Sequence, residues 1–112
     1  MHELGIMIHI VEKVSSLAEQ NKLQEIQSLV LQVGELSPVV PHFLEACYPA
    51  AVDGTLLEKT ELKIEVLKAS ARCLQCDTIY PPVEHKTCPN CNSKELNIIG
   101  GREFLIKEII GY

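Results

Sequence analysis

The 112-residue chain contains no tryptophan, and aromatic residues make up only 4% of it. Hydrophobic residues nevertheless reach 46%, so the sequence predicts a globular core built from aliphatic side chains. Its longest apolar runs are far shorter than the roughly 20 residues that a membrane-spanning helix needs. At this length, we expect one ordinary domain with at most a small added module.

Basic residues are also scarce, since 10 Lys and Arg face 15 Asp and Glu and give a formal net charge of −5. Nucleic-acid binding requires a clustered basic face, so this composition argues against DNA or RNA as a partner. The first residues, Met1-His2-Glu3, lack the basic segment that begins a signal peptide. We therefore expect a cytoplasmic protein that binds neither nucleic acid nor membrane.

Patterns typical of catalysis are missing as well. The sequence has no paired carboxylates, no Gly-rich phosphate loop and no arrangement of a nucleophile with a base. His9 and His42 have no second ligand at a fixed spacing, and Cys47 is interpreted as a core thiol. The sequence therefore does not predict an enzyme.

Four of the five cysteines form two Cys-x-x-Cys pairs, Cys73 with Cys76 and Cys88 with Cys91. Two residues between paired cysteines let both sulfurs of a tight turn face one ion, and two such turns supply a tetrahedral zinc site. Four thiolates close the coordination shell, so this zinc would be structural. Two disulfides are the alternative, which a reducing cytosol disfavours. His85 could enter the zinc shell if a cysteine left it.

The start of the chain is a second candidate metal site. The α-amine of Met1, the backbone nitrogen of His2 and the His2 imidazole can close adjacent chelate rings, a planar set that favours Ni²⁺ or Cu²⁺ over zinc. The first N–H groups of a helix have no intrahelical partner, so a metal could also take the amide nitrogen of Glu3. A histidine at position 2 is weak evidence by itself, because chain ends are usually solvated. Glu3 could equally complement the helix dipole.

Hydrophobic periodicity predicts two helices and three strands. The first helix covers residues 4–20, although Ile6, Ile8 and Ile10 could also form a strand. The second begins near Pro41, ends at Asp53-Gly54, and is expected to kink or break early at Pro49. Strands are predicted over residues 26–33, 61–68 and 104–110. The predicted inward-facing residues are Leu4, Met7, Ile8, Ile10, Val11, Val14, Leu17, Ala18, Phe43, Leu44, Cys47, Ala51, Leu62, Ile64 and Val66.

We predict an α+β fold in which a small, mixed three-stranded sheet packs with two helices and carries an inserted zinc-ribbon module. The last strand is too short to fold alone, so it should pair with the earlier strands. The expected divisions are an α/β domain over residues 1–69 that includes the candidate N-terminal metal site, the zinc ribbon over 70–98, and a returning strand over 99–112. The Gly100-Gly101 dipeptide could act as the hinge of a domain-swapped homodimer.

In combination, these motifs resemble the HypA (also called HybF) family of hydrogenase maturation nickel metallochaperones. The similar segments are Met1-His2-Glu3, Val33-Gly34-Glu35-Leu36-Ser37, Asp53-Gly54-Thr55 and the two cysteine pairs. The resemblance implies nickel bound through His2 with backbone nitrogens at positions 1 to 3, and structural zinc on Cys73, Cys76, Cys88 and Cys91. It also implies delivery of nickel to the large subunit of NiFe-hydrogenase together with the GTPase HypB, and in some relatives a role in urease maturation.

Two other hypotheses compete with this one. A zinc-ribbon nucleic-acid or transcription module would use the basic residues in and near the ribbon, which are Lys68, Arg72, Lys86 and Lys94. The negative net charge and the absence of interleaved aromatic residues argue against it. A small metalloenzyme would need an open coordination position, which four thiolates do not leave.

Overall fold

The structure is a computed structural model that describes residues 2–112, so Met1, a predicted nickel ligand, lies outside the described residues. The order of elements predicted from the sequence is confirmed, with additional short strands around the cysteines. No helix in residues 2–112 has the length and apolar character to cross a bilayer. The elements are α1 (Glu3–Gln20), β1 (Ile26–Gly34), α2 (Pro41–Val52), β2 (Glu61–Leu67), β3 (Ser70–Cys73), β4 (Ile79–Tyr80), β5 (Leu96–Gly100) and β6 (Phe104–Gly111).

Helix α1 forms because apolar residues recur every three or four positions along one face. The residues buried on that face include Met7, Ile10, Val11, Val14 and Ala18. The predicted helix is confirmed to within one residue, and the alternative strand is not formed. The prediction that Leu4 and Ile8 face inward is wrong, because they are 44% and 42% exposed.

Helix α2 begins at Pro41, whose fixed φ suits the first helical turn. It continues through Pro49 to Val52, so the predicted early break is wrong. Pro49 removes a hydrogen bond to the carbonyl of Glu45, and both residues lie on the exposed side of the helix, where water can replace that bond. Phe43 was predicted to face inward but is 47% exposed. Leu44 and Ala51 are buried as predicted, together with Tyr48 and Val52.

The first sheet has the strand order β2-β1-β6. Strand β1 pairs parallel with β2 and antiparallel with β6, which confirms the predicted mixed sheet. Nearly every residue of β1 is buried, as expected for a central strand covered on both faces. On β2, Leu62 and Ile64 pack against the core, but Val66 is 54% exposed, so its predicted inward orientation is wrong. The alternation of β2 is interrupted there, just before the chain leaves this edge strand.

A second sheet, with the order β4-β3-β5, lies between β2 and β6 in the chain and carries the cysteine turns. Its pairings are antiparallel. Among residues 2–112, its fully buried cluster comprises Ala71, Cys73, Tyr80 and Cys88, with a few partly buried residues against it, and is separate from the large aliphatic cluster around α1, α2 and β1. So small an apolar cluster contributes little to stability by itself.

Three chain segments cross where the two sheets meet. The Gly34 N–H donates to the carbonyl of Glu103 at 2.6 Å, and the Ala69 N–H donates to the Glu35 carboxylate at 2.8 Å. Gly34 lies directly against the backbone of Gly101, which leaves no room for a Cβ atom. Gly101 has a φ of +105°, and a Cβ there would lie 2.5 Å from the Cα of Ala69. The junction is therefore tightly packed and requires glycine at both positions.

Candidate metal centres

The four paired cysteines converge at one end of the second sheet. Their Sγ atoms all lie within 4.8 Å of one another. The Sγ atoms of Cys73 and Cys91 are 3.5 Å apart, and those of Cys76 and Cys88 are 3.6 Å apart. A tetrahedral ion with metal–sulfur distances of about 2.3 Å requires sulfur–sulfur distances of about 3.8 Å. All four thiols are free, so the donor set fits one tetrahedral soft metal ion rather than two disulfides.

The two cysteine turns share one backbone design. The Asp77 N–H donates to the Cys73 carbonyl at 3.0 Å, and the Asn92 N–H donates to the Cys88 carbonyl at 2.8 Å. Asp77 and Asn92 each follow the second cysteine of a pair and have φ values of +62° and +64°. Asp and Asn are the non-glycine residues that adopt this left-handed conformation most readily. The spacing of the cysteines and the residue after each pair therefore build two equivalent ligand turns.

Backbone and side-chain amides point at the sulfurs. The Gln75 N–H donates to Cys73 Sγ and the Asn90 N–H donates to Cys88 Sγ, both at 3.4 Å. The Asn90 side-chain amide also donates to Cys76 Sγ at 3.5 Å. Hydrogen bonds to sulfur favour the thiolate over the thiol, and thiolate is the form that binds a metal.

The electrostatics of the cluster favour a bound cation. Hydrogen bonds from the Thr78 hydroxyl and the Asn90 amide lower the pKa of Cys76 to about 6. At Cys91, the Ser93 N–H lowers the pKa, but contacts with the other thiols together with burial raise it to about 12. Four thiols this close together cannot all ionise to thiolates without a positive charge between them, because the negative charges repel one another. A divalent cation at the centre stabilises all four at once.

His85 is not among the ligands of this cluster. Its ring packs edge-on against Tyr80, with ring centroids 6.4 Å apart. The Tyr80 hydroxyl is buried with no hydrogen-bond partner in residues 2–112, and burial, followed by the charges of the nearby cysteines, raises its pKa. The ring of Tyr80 thus closes the apolar side of the cluster.

His2 lies at the open start of α1. As the N-cap residue, it accepts the Ile6 N–H on its carbonyl at 3.0 Å, while its side chain makes no capping hydrogen bond and is exposed. Its side chain borders an open surface depression that is also lined by Gly5 and His9. The imidazole is therefore accessible to a metal ion in solution.

Glu3 has a role that the sequence did not indicate. Its side chain is only 7% exposed, and its carboxylate accepts the N–H of Val40 at 3.3 Å. Hydrogen bonds from its own N–H and from Val40 lower the pKa of Glu3. The side chain therefore connects the start of α1 to the start of α2. No local pattern could reveal this contact, because Val40 lies far along the chain.

The other candidate residues lie outside the cysteine cluster. Cys47 packs against the main core, as interpreted from the sequence, and its thiol donates to the Leu44 carbonyl at 3.5 Å. Burial raises the pKa of Cys47, so it is a poor nucleophile. The ring of His42 lies 6.1 Å from that of Phe43.

Comparison with known proteins finds a single family over almost the whole chain. Residues 1–110 match the family described as "Hydrogenase/urease nickel incorporation, metallochaperone, hypA". The "Hydrogenase maturation factor HypA" of Trichodesmium erythraeum is 41% identical, with 97% of this chain and 94% of the relative covered. The protein of the same description from Chlorobium limicola is 36% identical, with 97% and 95% covered.

Solved structures show the same fold. "Solution structure of the Ni metallochaperone HypA from Helicobacter pylori" superposes with a TM-score of 0.66 at 21% identity, covering 97% of this chain and 96% of the other. A second, "Solution structure of HypA protein", gives a TM-score of 0.72 at 20% identity, covering 100% and 97%.

Proposed function

Because this chain belongs to the HypA family of hydrogenase and urease nickel-incorporation metallochaperones, we propose that it binds Ni²⁺ at its first three residues and delivers it during maturation of NiFe-hydrogenase. The observation that carries this proposal is the exposed imidazole of His2 at the open start of α1. Nickel is the transferred cargo here, not a resident cofactor.

The proposed ligands are the α-amine of Met1, the imidazole of His2 and the backbone nitrogens of His2 and Glu3. The helical hydrogen bonds begin with the Ile6 N–H, which donates to the His2 carbonyl. Backbone hydrogen bonds of the α-helical type therefore start at Ile6, so nickel can displace amide protons nearer the start of the chain without breaking one of them. A nitrogen-rich set of this kind suits Ni²⁺.

Delivery would proceed by ligand exchange. At an exposed site, an acceptor's ligands can bind the ion before all of the donor's ligands have left. The cysteine cluster is the opposite case, because two of its four cysteines are buried and four thiolates leave no free position. We therefore assign the transferred ion to the N-terminus.

We assign zinc to Cys73, Cys76, Cys88 and Cys91. The support is the set of four free thiols with tetrahedral spacing and hydrogen-bond donors aimed at the sulfurs. When bound, the ion would join the two turns and supply no catalytic chemistry.

The partners we propose are a GTPase of the HypB type and the large subunit of NiFe-hydrogenase, met in the cytoplasm. The relatives' description as hydrogenase maturation factors supports a partner in hydrogenase assembly. The family description names urease as well, and a urease assembly protein is a second acceptor to test.

Nickel calorimetry on protein without a tag tests the proposal. Wild type should bind one Ni²⁺ per chain, and His2→Ala should lose this binding because the backbone nitrogens lose their anchor. His85→Ala is the matched control, because it removes an exposed imidazole from the loop between β4 and β5 of the second sheet. A peptide extension before Met1 should act like His2→Ala, since it converts the amine to an amide. Equal binding by all four proteins would place the nickel elsewhere.

A further inference from the structure

Strand β6 has an open edge. It is the outer strand of the first sheet, paired with β1 on one side only. Its consecutive residues 104–109 all border a groove of about 600 Å³, whose opposite wall is formed by α1 residues His9, Ile10, Lys13 and Leu17. Because alternate residues of a strand face opposite sides, a groove bordered by consecutive residues follows the edge of the strand. The hydrogen-bonding edge of β6 is therefore accessible.

The pattern of exposure along β6 is symmetric. From Phe104 to Gly111, partly buried and exposed positions read the same in both directions about a centre between Lys107 and Glu108. The symmetry arises because the register with β1 shifts at this point, so both central residues are exposed. On either side, Leu105 is 43% exposed and Ile110 is 39% exposed.

We propose that this edge pairs with the same edge of a second copy, antiparallel about a twofold axis between Lys107 and Glu108. The pairing would join the two sheets into one of six strands, with the order β2-β1-β6-β6-β1-β2. A twofold contact must be self-complementary, so a strand that uses it must match its own reverse. The proposal goes beyond the nickel function and does not depend on it.

This register matches both charge and apolar character. Lys107 lies opposite the partner's Glu108, and the axis repeats that pair. Leu105 lies opposite the partner's Ile110 on the outer face. Ile106 lies opposite the partner's Ile109 on the face that packs against the core. Opposite charges and apolar residues placed directly across two strands stabilise an antiparallel pair.

A bulge and charged residues in an edge strand can also prevent pairing. A domain-swapped dimer hinged at Gly100-Gly101 would be a different assembly with β6 in another role. The first alternative predicts a monomer, and the second predicts a dimer whose stability does not depend on the charges of Lys107 and Glu108.

Sedimentation equilibrium on two single charge reversals separates these possibilities. Lys107→Glu places a negative residue opposite the partner's Glu108 in both cross-strand pairs. Glu108→Lys places a positive residue opposite the partner's Lys107 in both pairs. Each should weaken the dimer about tenfold or more. An equimolar mixture of the two variants should dimerise again as a heterodimer, because every cross-strand pair is then of opposite charge. The double variant Lys107→Glu/Glu108→Lys should restore the homodimer.

Lys107 also pairs with Glu65 within the chain at 3.0 Å, so its reversal can weaken the fold itself. Glu108→Lys retains that ion pair, and thermal unfolding of each variant reports any loss of stability. A wild-type protein that stays monomeric throughout the measurable concentration range overturns the proposal. So does a dimer that neither reversal weakens, which is the behaviour of a domain swap.

Discussion

At the residue scale, Glu3 and the proposed nickel ligand His2 are neighbours at the start of α1 but differ in burial. Glu3 is buried against the start of α2, whereas His2 is exposed. We expect Glu3→Ala to lower the free energy of unfolding, because the part-buried hydrogen bond from the Val40 N–H loses its charged acceptor. His2→Ala should leave that free energy unchanged. Urea unfolding of both variants checks this, and equal stability of all three proteins would contradict it.

Tyr48 gives the fold a dependence on alkaline pH. Its buried hydroxyl donates to the Thr60 carbonyl at 2.9 Å, and burial raises the pKa of Tyr48 to about 12. In the unfolded chain a tyrosine ionises near pH 10, so the folded state holds the proton more tightly. This contribution is complete below about pH 10 and is lost as the pH rises towards 12.

Tyr48→Phe is the test of that contribution. The variant should lose about 1 kcal/mol at neutral pH through the missing hydrogen bond. Its stability should also fall less steeply than that of wild type between about pH 10 and 12, as measured by urea unfolding. An equally steep loss of stability in Tyr48→Phe and in wild type over that pH range would contradict this role of Tyr48.

The sequence predicted the cysteine cluster but not the contacts of Glu3. The spacing within each pair, Cys73 with Cys76 and Cys88 with Cys91, predicted two local turns, and the convergence of these turns followed from the four ligands that one tetrahedral ion needs. The burial of Glu3 was not predictable, since it depends on where the loop before α2 returns. Residue patterns report local geometry well and long-range contacts poorly.

At the scale of elements, two glycines differ sharply in what they require. Gly34→Ala would place a Cβ against the backbone of Gly101 at the crossing of three segments, where nothing flexible can move aside. We expect it to lower the free energy of unfolding by about 1–3 kcal/mol or more. A Cβ atom added at Gly5 would have no neighbouring atom within 4 Å, and the position lies inside α1. Gly5→Ala should therefore raise the free energy of unfolding by about 0.5–1 kcal/mol. Thermal unfolding of both compares them, and similar shifts would contradict the close packing at Gly34.

Periodicity identified the helices and strands but misplaced the edges of their buried faces. Leu4, Ile8 and Phe43 continue the apolar stripes of α1 and α2, yet each is exposed. The spacing of a stripe is a property of one helix, whereas its width depends on which neighbours cover it. Two helices on a three-stranded sheet are too few to cover every apolar position.

The second sheet should depend on its metal. We propose that residues 70–98 respond as one unit, because their buried cluster contains only four residues and two of those are cysteines. Structural zinc supplies about 10–16 kcal/mol of apparent binding energy in zinc-finger peptides. Cys88→Ser should abolish stoichiometric zinc and speed hydrogen exchange over residues 70–98, while α1 and β1 stay protected.

Elemental analysis and hydrogen exchange by mass spectrometry measure both effects. Cys47→Ser is the matched control, because Cys47 packs against the main core and lies outside the cluster. Loss of protection throughout the chain in Cys88→Ser would show that the two sheets unfold together.

At the scale of the whole molecule, the dimensions of 55 × 28 × 16 Å describe an elongated body with two separate apolar clusters. Its negative net charge of −5 argues against nucleic acid as a partner. We expect no duplex DNA binding at physiological salt, because few counterions would be released. A mobility-shift assay checks this, and tight, salt-sensitive binding would support a nucleic-acid module instead.

The position of β6 in the chain also sets the order in which the protein can fold. Strand β6 completes the first sheet on β1, yet the whole second sheet is synthesised between β2 and β6. While that stretch is loose, joining β6 to β1 closes a long loop, which costs more entropy than closing a short one. Once an ion binds both cysteine turns, Ala69 and Gly101 are held in contact, and the first residues of β6 lie close to β1. Zinc supply should therefore control the folding rate of the first sheet, and zinc-starved chains should persist with β1 as an unpaired, aggregation-prone edge.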